Sequence, residues 1–92
     1  MARELEYLQE AVDEGRLRRG GNAERSATAA VEFSNELDAA ESAIVRFPQA
    51  WPPFDHNTRR YLLRRFPFNV VYRVEPNRIL IVAIAHAHRR PG

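Results

Sequence analysis

Cysteine and lysine are both missing from this 92-residue chain. Without cysteine there is neither a disulfide framework nor a thiolate site. A secreted domain this small ordinarily relies on disulfide staples, so a cytoplasmic protein is expected. No apolar run approaches the roughly 18 residues that a membrane span needs, and the amino terminus Met-Ala-Arg-Glu carries no signal-peptide core. Internal repeats and low-complexity segments are absent as well. What is present is a hydrophobic fraction of 45%, enough for a packed core and too much for a disordered chain. At 10.6 kDa that core belongs to one domain, residues 1–92.

The net charge of +2 hides a segregation. Residues 1–55 carry eleven of the twelve acids and six of the fourteen arginines, a balance of −5. Residues 56–92 carry eight arginines against Glu75 alone, a balance of +7, together with all three histidines. Arginine offers planar, bidentate contacts to carboxylate and phosphate, so the carboxy-terminal half suits an acidic protein or a nucleic acid. A GC-rich genome accounts equally well for arginine replacing lysine, but not for the separation of charge along the chain.

Leu5, Leu8 and Val12 recur at helical spacing and predict a helix over residues 2–14, ended by Gly15 and followed by a basic, flexible connection over residues 16–22. A longer helix is predicted from Ser26 or Thr28 to Phe47, with the seam Phe33, Leu37, Ala40, Ile44 and Phe47, and Pro48 stops it. The segment Pro48–Asn57 excludes helix and central strand, and its lone Trp51 is read as a cap on the core. Strands are predicted over residues 59–65, 69–75 and 78–86. The last two are joined by a tight turn at Glu75-Pro76-Asn77-Arg78. Phe66-Pro67-Phe68 reads as a strand-turning element with its rings on the core. Strict alternation puts Ile79, Ile81, Ala83 and Ala85 on one face of the last strand and Leu80, Val82 and Ile84 on the other. The expectation is an α+β domain, a helical hairpin packed on one face of a three-stranded antiparallel sheet.

Several spaced motifs occur in one order: Trp51-Pro52-Pro53, then Arg59-Arg60-Tyr61-Leu62-Leu63-Arg64-Arg65-Phe66-Pro67-Phe68, then Val71-Tyr72-Arg73-Val74, then Ile81 to His86, and Arg89-Arg90-Pro91. With Glu32-Phe33 on the long helix, this pattern resembles the RelE/ParE toxin superfamily of type II toxin–antitoxin operons, whose members are often described as plasmid stabilisation proteins. The resemblance spans roughly residues 28–91. Members usually open with a short strand before the first helix. Here Met1 abuts helical sequence, so that strand is expected to be missing. Members also often run on past Arg-Arg-Pro to a terminal aromatic, where this chain has Gly92.

The resemblance implies a toxin neutralised by a cognate antitoxin, with one of two activities. RelE-like members cleave mRNA on the ribosome, whereas ParE-like members inhibit DNA gyrase and are not enzymes. A ribonuclease must activate a 2′-hydroxyl, stabilise phosphate charge and protonate the leaving oxygen. Lysine is absent, and Tyr72 lies on the apolar face of its strand. That leaves Arg73, His86, His88, Arg89 and Arg90 as the catalytic candidates. The missing groups favour the ParE-like, gyrase-binding reading. Ribosome-dependent cleavage, or a degenerate toxin that only binds antitoxin, are the alternatives. His86 and His88 share strand spacing, but two imidazoles without cysteine or a nearby carboxylate make no metal site, and no cofactor is expected. For the antitoxin, an apolar groove of Val71, Val82 and Ile84 rimmed by Arg73, Arg89 and Arg90 is expected to take an acidic amphipathic segment. A sheet edge left open by the missing strand is expected to invite strand addition or self-association.

Overall fold

Glu4-Leu5-Glu6-Tyr7 alternates charged and apolar side chains, and in the computed structural model, which describes residues 3–87 and gives residues 22–25 by backbone alone, it is a strand. This β1 (Glu4–Tyr7) pairs in parallel with the last strand, Leu5 opposite Ile79 and Tyr7 opposite Ile81. The expected helix over residues 2–14 is therefore wrong in its first half, and the expected missing strand is present. Leu5, Leu8 and Val12 satisfy helical spacing on paper. The four residues before Leu8 also satisfy period two, and the ladder offered by the sheet decides between them. The Leu8 N–H donates to the Ile81 carbonyl at 2.9 Å, and the Leu8 carbonyl then accepts from Ala11 and Val12 to start the first helix.

That helix, α1 (Gln9–Arg25), runs straight through Gly15 and the expected flexible connection. Gly15 sits at a close approach there: a Cβ would meet Ile84 Cδ1 at 3.2 Å, so the isoleucine tip would have to give by a few tenths of an ångström. The second helix, α2 (Ala27–Arg46), starts where expected. Ser26 sits in extended backbone and its hydroxyl accepts the Ala29 N–H at 2.9 Å, a cap worth about 1 kcal/mol. Ala30, Phe33, Ala40 and Ile44 are its buried stripe, and Leu37 packs beside them. Phe47 leaves the predicted seam: it has turned out of helical conformation ahead of Pro48 and is exposed.

The remaining strands are β2 (Pro53–Phe54), β3 (Thr58–Leu62), β4 (Phe68–Val74) and β5 (Arg78–His86). The five-stranded sheet has the order β1-β5-β4-β3-β2, antiparallel throughout except for β1. It is mixed, not the three-stranded antiparallel sheet expected. The edge of β5 that should have been open is covered by β1, which removes the premise for strand addition there. His56 and Asn57, both at positive φ near 60°, form the tight turn between β2 and β3, and the Thr58 N–H closes it on the Asp55 carbonyl at 3.2 Å. Such a left-handed pair matches the twist of a two-residue hairpin turn.

The β4–β5 ladder slips by one residue. Tyr72 faces Ile81 and Val71 faces Ala83, so Val82 has no partner in the register. This bulge inverts the alternation of β5 beyond it. Ile84 thereby joins Ile79 and Ile81 under the helices, and Ala83 joins Leu80 on the other face. All three isoleucines are fully buried with Val70, Tyr72 and Phe33, each contributing roughly 1.5–3 kcal/mol by leaving water. Phe66 and Phe68 meet Phe33 edge-on at 5.3 and 6.0 Å, as expected of that turn. Trp51 packs against the core edge-on to Tyr61 at 4.6 Å, capping it. Among the described residues no helix is long and apolar enough to cross a membrane.

Candidate partner-binding face

The helices cover one face of the sheet, and the strand register identifies what the other carries. Arg73 pairs with Leu80, which pairs with Glu6; Val71 pairs with Arg60 and Ala83; Leu62 pairs with Asn69; Phe54 pairs with Thr58. Directly opposed residues share a face, so these form the helix-free side. Val71 and Leu80 are only 5% and 6% exposed there, whereas Leu62 is 59% and Phe54 41% exposed. The accessible apolar surface thus sits toward β2 and β3. Arg60 stands over the Phe54 ring with its guanidinium 5.4 Å from the centroid, a cation–π contact.

Charge on this face is organised around one acid. Glu75 pairs with Arg73 at 3.8 Å and with Arg78 through a short contact to the Arg78 Nε, and Arg78 also reaches Glu6 at 3.2 Å. These carboxylates hold the Arg78 guanidinium above its ordinary pKa, the Glu75 hydrogen bond contributing most. Arg59, one residue from Arg60, points the other way and donates to the Trp51 carbonyl at 2.6 Å. Arg64 and Arg65 lie beyond β3 in the turn, where the Glu36 carboxylate accepts both of their backbone N–H groups. The four arginines of this segment therefore serve three different purposes.

The two catalytic candidates among the described residues, Arg73 and His86, do not converge. Arg73 lies on the helix-free face beside the β4–β5 turn. His86 ends β5 opposite Phe68, on the helix side, with its ring 5.5 Å from that of Phe68. Arg73 and His86 are separated by the five steps of β4 from Phe68 to Arg73, about 17 Å at roughly 3.3 Å per residue, and by the thickness of the sheet. His88, Arg89 and Arg90 fall outside the described residues. The Tyr72 hydroxyl donates to the Pro48 carbonyl at 2.7 Å, and burial pushes its pKa up to about 12. It is a structural phenol, held neutral.

The partner-binding candidates divide in the same way. Val71, Val82 and Arg73 remain at or beside the helix-free face, but Ile84 does not belong there. The Val82 bulge turns it inward, where α1 covers it. The exposed pair Leu62 and Phe54 were not among the sequence candidates, and Arg60, readable with Arg59, Arg64 and Arg65 as a phosphate-facing surface whose alternate pairs point to opposite faces, was not among those for the partner groove. Their signal was present, because Arg60 and Leu62 alternate with the inward Tyr61.

A family model for the ParE toxin of the type II toxin–antitoxin system, parDE, matches residues 6–91. The chain belongs to the ParE toxin family. Its fold is similar to that in the chromosomal ParDE toxin–antitoxin system from P. aeruginosa, with a TM-score of 0.81 at 18% identity, covering 95% of this chain and 98% of that one. It is also similar to the E. coli DinJ–YafQ toxin–antitoxin complex, with a TM-score of 0.64 at 10% identity, covering 94% and 93%. No curated protein matches the chain in sequence. In this ParE-family chain the five-stranded mixed sheet under two helices is thus the fold shared with solved toxin–antitoxin systems.

Proposed function

We propose that this ParE-family toxin acts by binding DNA gyrase, without catalysis of its own, and that a cognate antitoxin neutralises it at the helix-free face. The observation that supports the non-catalytic reading is the separation of Arg73 from His86, the two catalytic candidates among the described residues. General acid–base cleavage of RNA needs its base, acid and phosphate clamp within hydrogen-bond reach of one phosphodiester. Two groups on opposite faces and opposite ends of a hairpin do not meet that requirement, and Tyr72 is committed to Pro48. Membership of the ParE family supports the gyrase target.

The helix-free face suits the antitoxin contact. Leu62 and Phe54 supply the exposed apolar area, with half-buried Val82 at the bulge, and Arg60 supplies the basic rim together with Arg73 and Arg78 of the Glu75–Glu6 ion-pair cluster. An acidic segment that folds on binding lays its apolar side on the first set and its carboxylates on the second. Purified toxin added to gyrase and relaxed plasmid tests this: loss of supercoiling, restored by the antitoxin, is the expected result. Intact gyrase activity together with mapped cuts in ribosome-bound mRNA would replace it with the ribonuclease reading.

A further inference from the structure

The trough between α1 and α2, on the outer side of the helical layer, is not filled. Val12 and Gly15 from α1 and Leu37 from α2 line a cleft of about 290 Å³ whose closed floor is Phe33 and Ile84. Gly15 brings the α1 backbone down onto Ile84 and adds no side chain to the space. Such apolar walls give water few hydrogen-bond partners, so an apolar chain lying in the open trough would displace it at little cost.

The two ends of the cleft differ in charge. Arg16 and Arg19 stand at one end, where the Arg19 Nε donates to the Ser34 hydroxyl at 3.0 Å. Arg16 makes no ion pair or hydrogen bond among the described residues. At the other end the Tyr7 hydroxyl donates to the Glu41 carboxylate, so the acid there is already engaged. An anionic headgroup is therefore attracted to one end and repelled from the other, which fixes the orientation of an amphiphile. The volume lies at the small limit of ligand pockets, roughly 300–1,000 Å³, and excludes two-tailed lipids.

We propose that this cleft binds a medium-chain carboxylic acid, its chain along Val12, Leu37 and Phe33 and its carboxylate held by Arg16 and Arg19. The site lies on the far side of the sheet from the proposed antitoxin face, so it stands or falls independently of that reading. Arginine fits the role because its planar donors match a carboxylate in a bidentate arrangement. A ligand bridging α1 and α2 also stabilises the folded chain by mass action.

The test is a titration of the full chain, carrying labelled methyl groups, with sodium decanoate below its micelle concentration. Saturable shifts of the Val12, Leu37 and Ile84 methyls are expected. Decanol, which lacks the carboxylate, should bind about tenfold more weakly, and Arg16→Glu should cost decanoate about the same factor. Arg16 is exposed, so that variant keeps its fold. Val12→Phe should fill the cleft and abolish binding while the protein stays folded. Absence of saturable shifts, or equal affinity for decanol and decanoate, would overturn the proposal. So would methyl shifts produced by the antitoxin but not by decanoate, which would assign the trough to a protein helix.

Discussion

Glu36, on α2, accepts the backbone N–H of Arg64 at 2.7 Å and, through both carboxylate oxygens, that of Arg65 at 3.1 Å. The turn between β3 and β4 is thus closed by a side chain from the helical layer, with Glu32 adding a 3.6 Å ion pair to Arg65. Hydrogen bonds to a charged acceptor contribute about 1.5–3 kcal/mol when buried, and this site is exposed, so Glu36→Ala should cost about 1 kcal/mol. Glu36→Gln keeps an acceptor and should cost less. Urea unfolding of the two variants measures the difference. Equal stability of Glu36→Ala and the parent would show that the turn holds itself.

The second half of α1 carries a different liability. Gly20 and Gly21 are helical, neither has positive φ, and a Cβ on either meets nothing within 4 Å. Glycine inside a helix costs about 0.5–1 kcal/mol against alanine. Gly20→Ala and Gly21→Ala should each raise stability by up to that amount, seen as an upward shift of the thermal midpoint. Gly15→Ala should not share the gain, because its methyl would press on Ile84 at 3.2 Å.

These same residues explain what was legible in the sequence. α2 was readable because a cap, a seam and a terminating proline agree over twenty residues. The β4–β5 hairpin was readable from its turn chemistry. The start of the chain was not, because Glu4–Tyr7 fits both periods and only the exposed ladder of β5 selects the strand. Gly15, Gly20 and Gly21 read as breakers because their cost is local. What offsets it is tertiary: the contact with Ile84 and the Arg19–Ser34 bond. The bulge at Val82 leaves no mark in composition, since every residue of β5 from Ile79 to Ala85 is apolar. The helix-free face was therefore misread wherever it depended on alternation continuing past residue 82.

Alkaline pH should destabilise this protein through two phenols, the buried Tyr72 and the half-buried Tyr7. Burial holds Tyr72 at about 12, and burial together with the Glu41 hydrogen bond raises Tyr7 further above the ordinary value of 10.0. Both groups are protonated more tightly in the folded chain. Their contribution is complete below pH 10 and is lost as pH rises from there through the folded-state values. The thermal midpoint should fall between pH 10 and 12. Tyr72→Phe should flatten part of that fall, while costing about 1 kcal/mol at neutral pH for the lost bond to the Pro48 carbonyl. A midpoint independent of pH over this range would contradict the burial of Tyr72 and the Tyr7–Glu41 hydrogen bond.

The helix-free face can be separated from the core by two neighbouring substitutions. Ile84 is fully buried under α1. Ile84→Asp places an unpaired charge in the core, and a loss above 4 kcal/mol, enough to unfold a small domain, is expected. Val82 is half-buried at the bulge and Leu62 is exposed. Val82→Asp and Leu62→Asp should therefore leave a folded protein that no longer co-purifies with its antitoxin. On the proposed interface, apolar burial should supply most of that affinity. Each rim arginine, exposed and screened, contributes only about 0–1 kcal/mol and mainly speeds association. Arg60→Ala with Arg73→Ala should weaken the complex mildly, and more at low salt than at high. Circular dichroism separates loss of fold from loss of binding, and calorimetry at two salt concentrations measures the rim. A double arginine variant that abolished the complex at high salt, beside a Leu62→Asp that bound normally, would make charge the main determinant and remove the apolar contact from the interface.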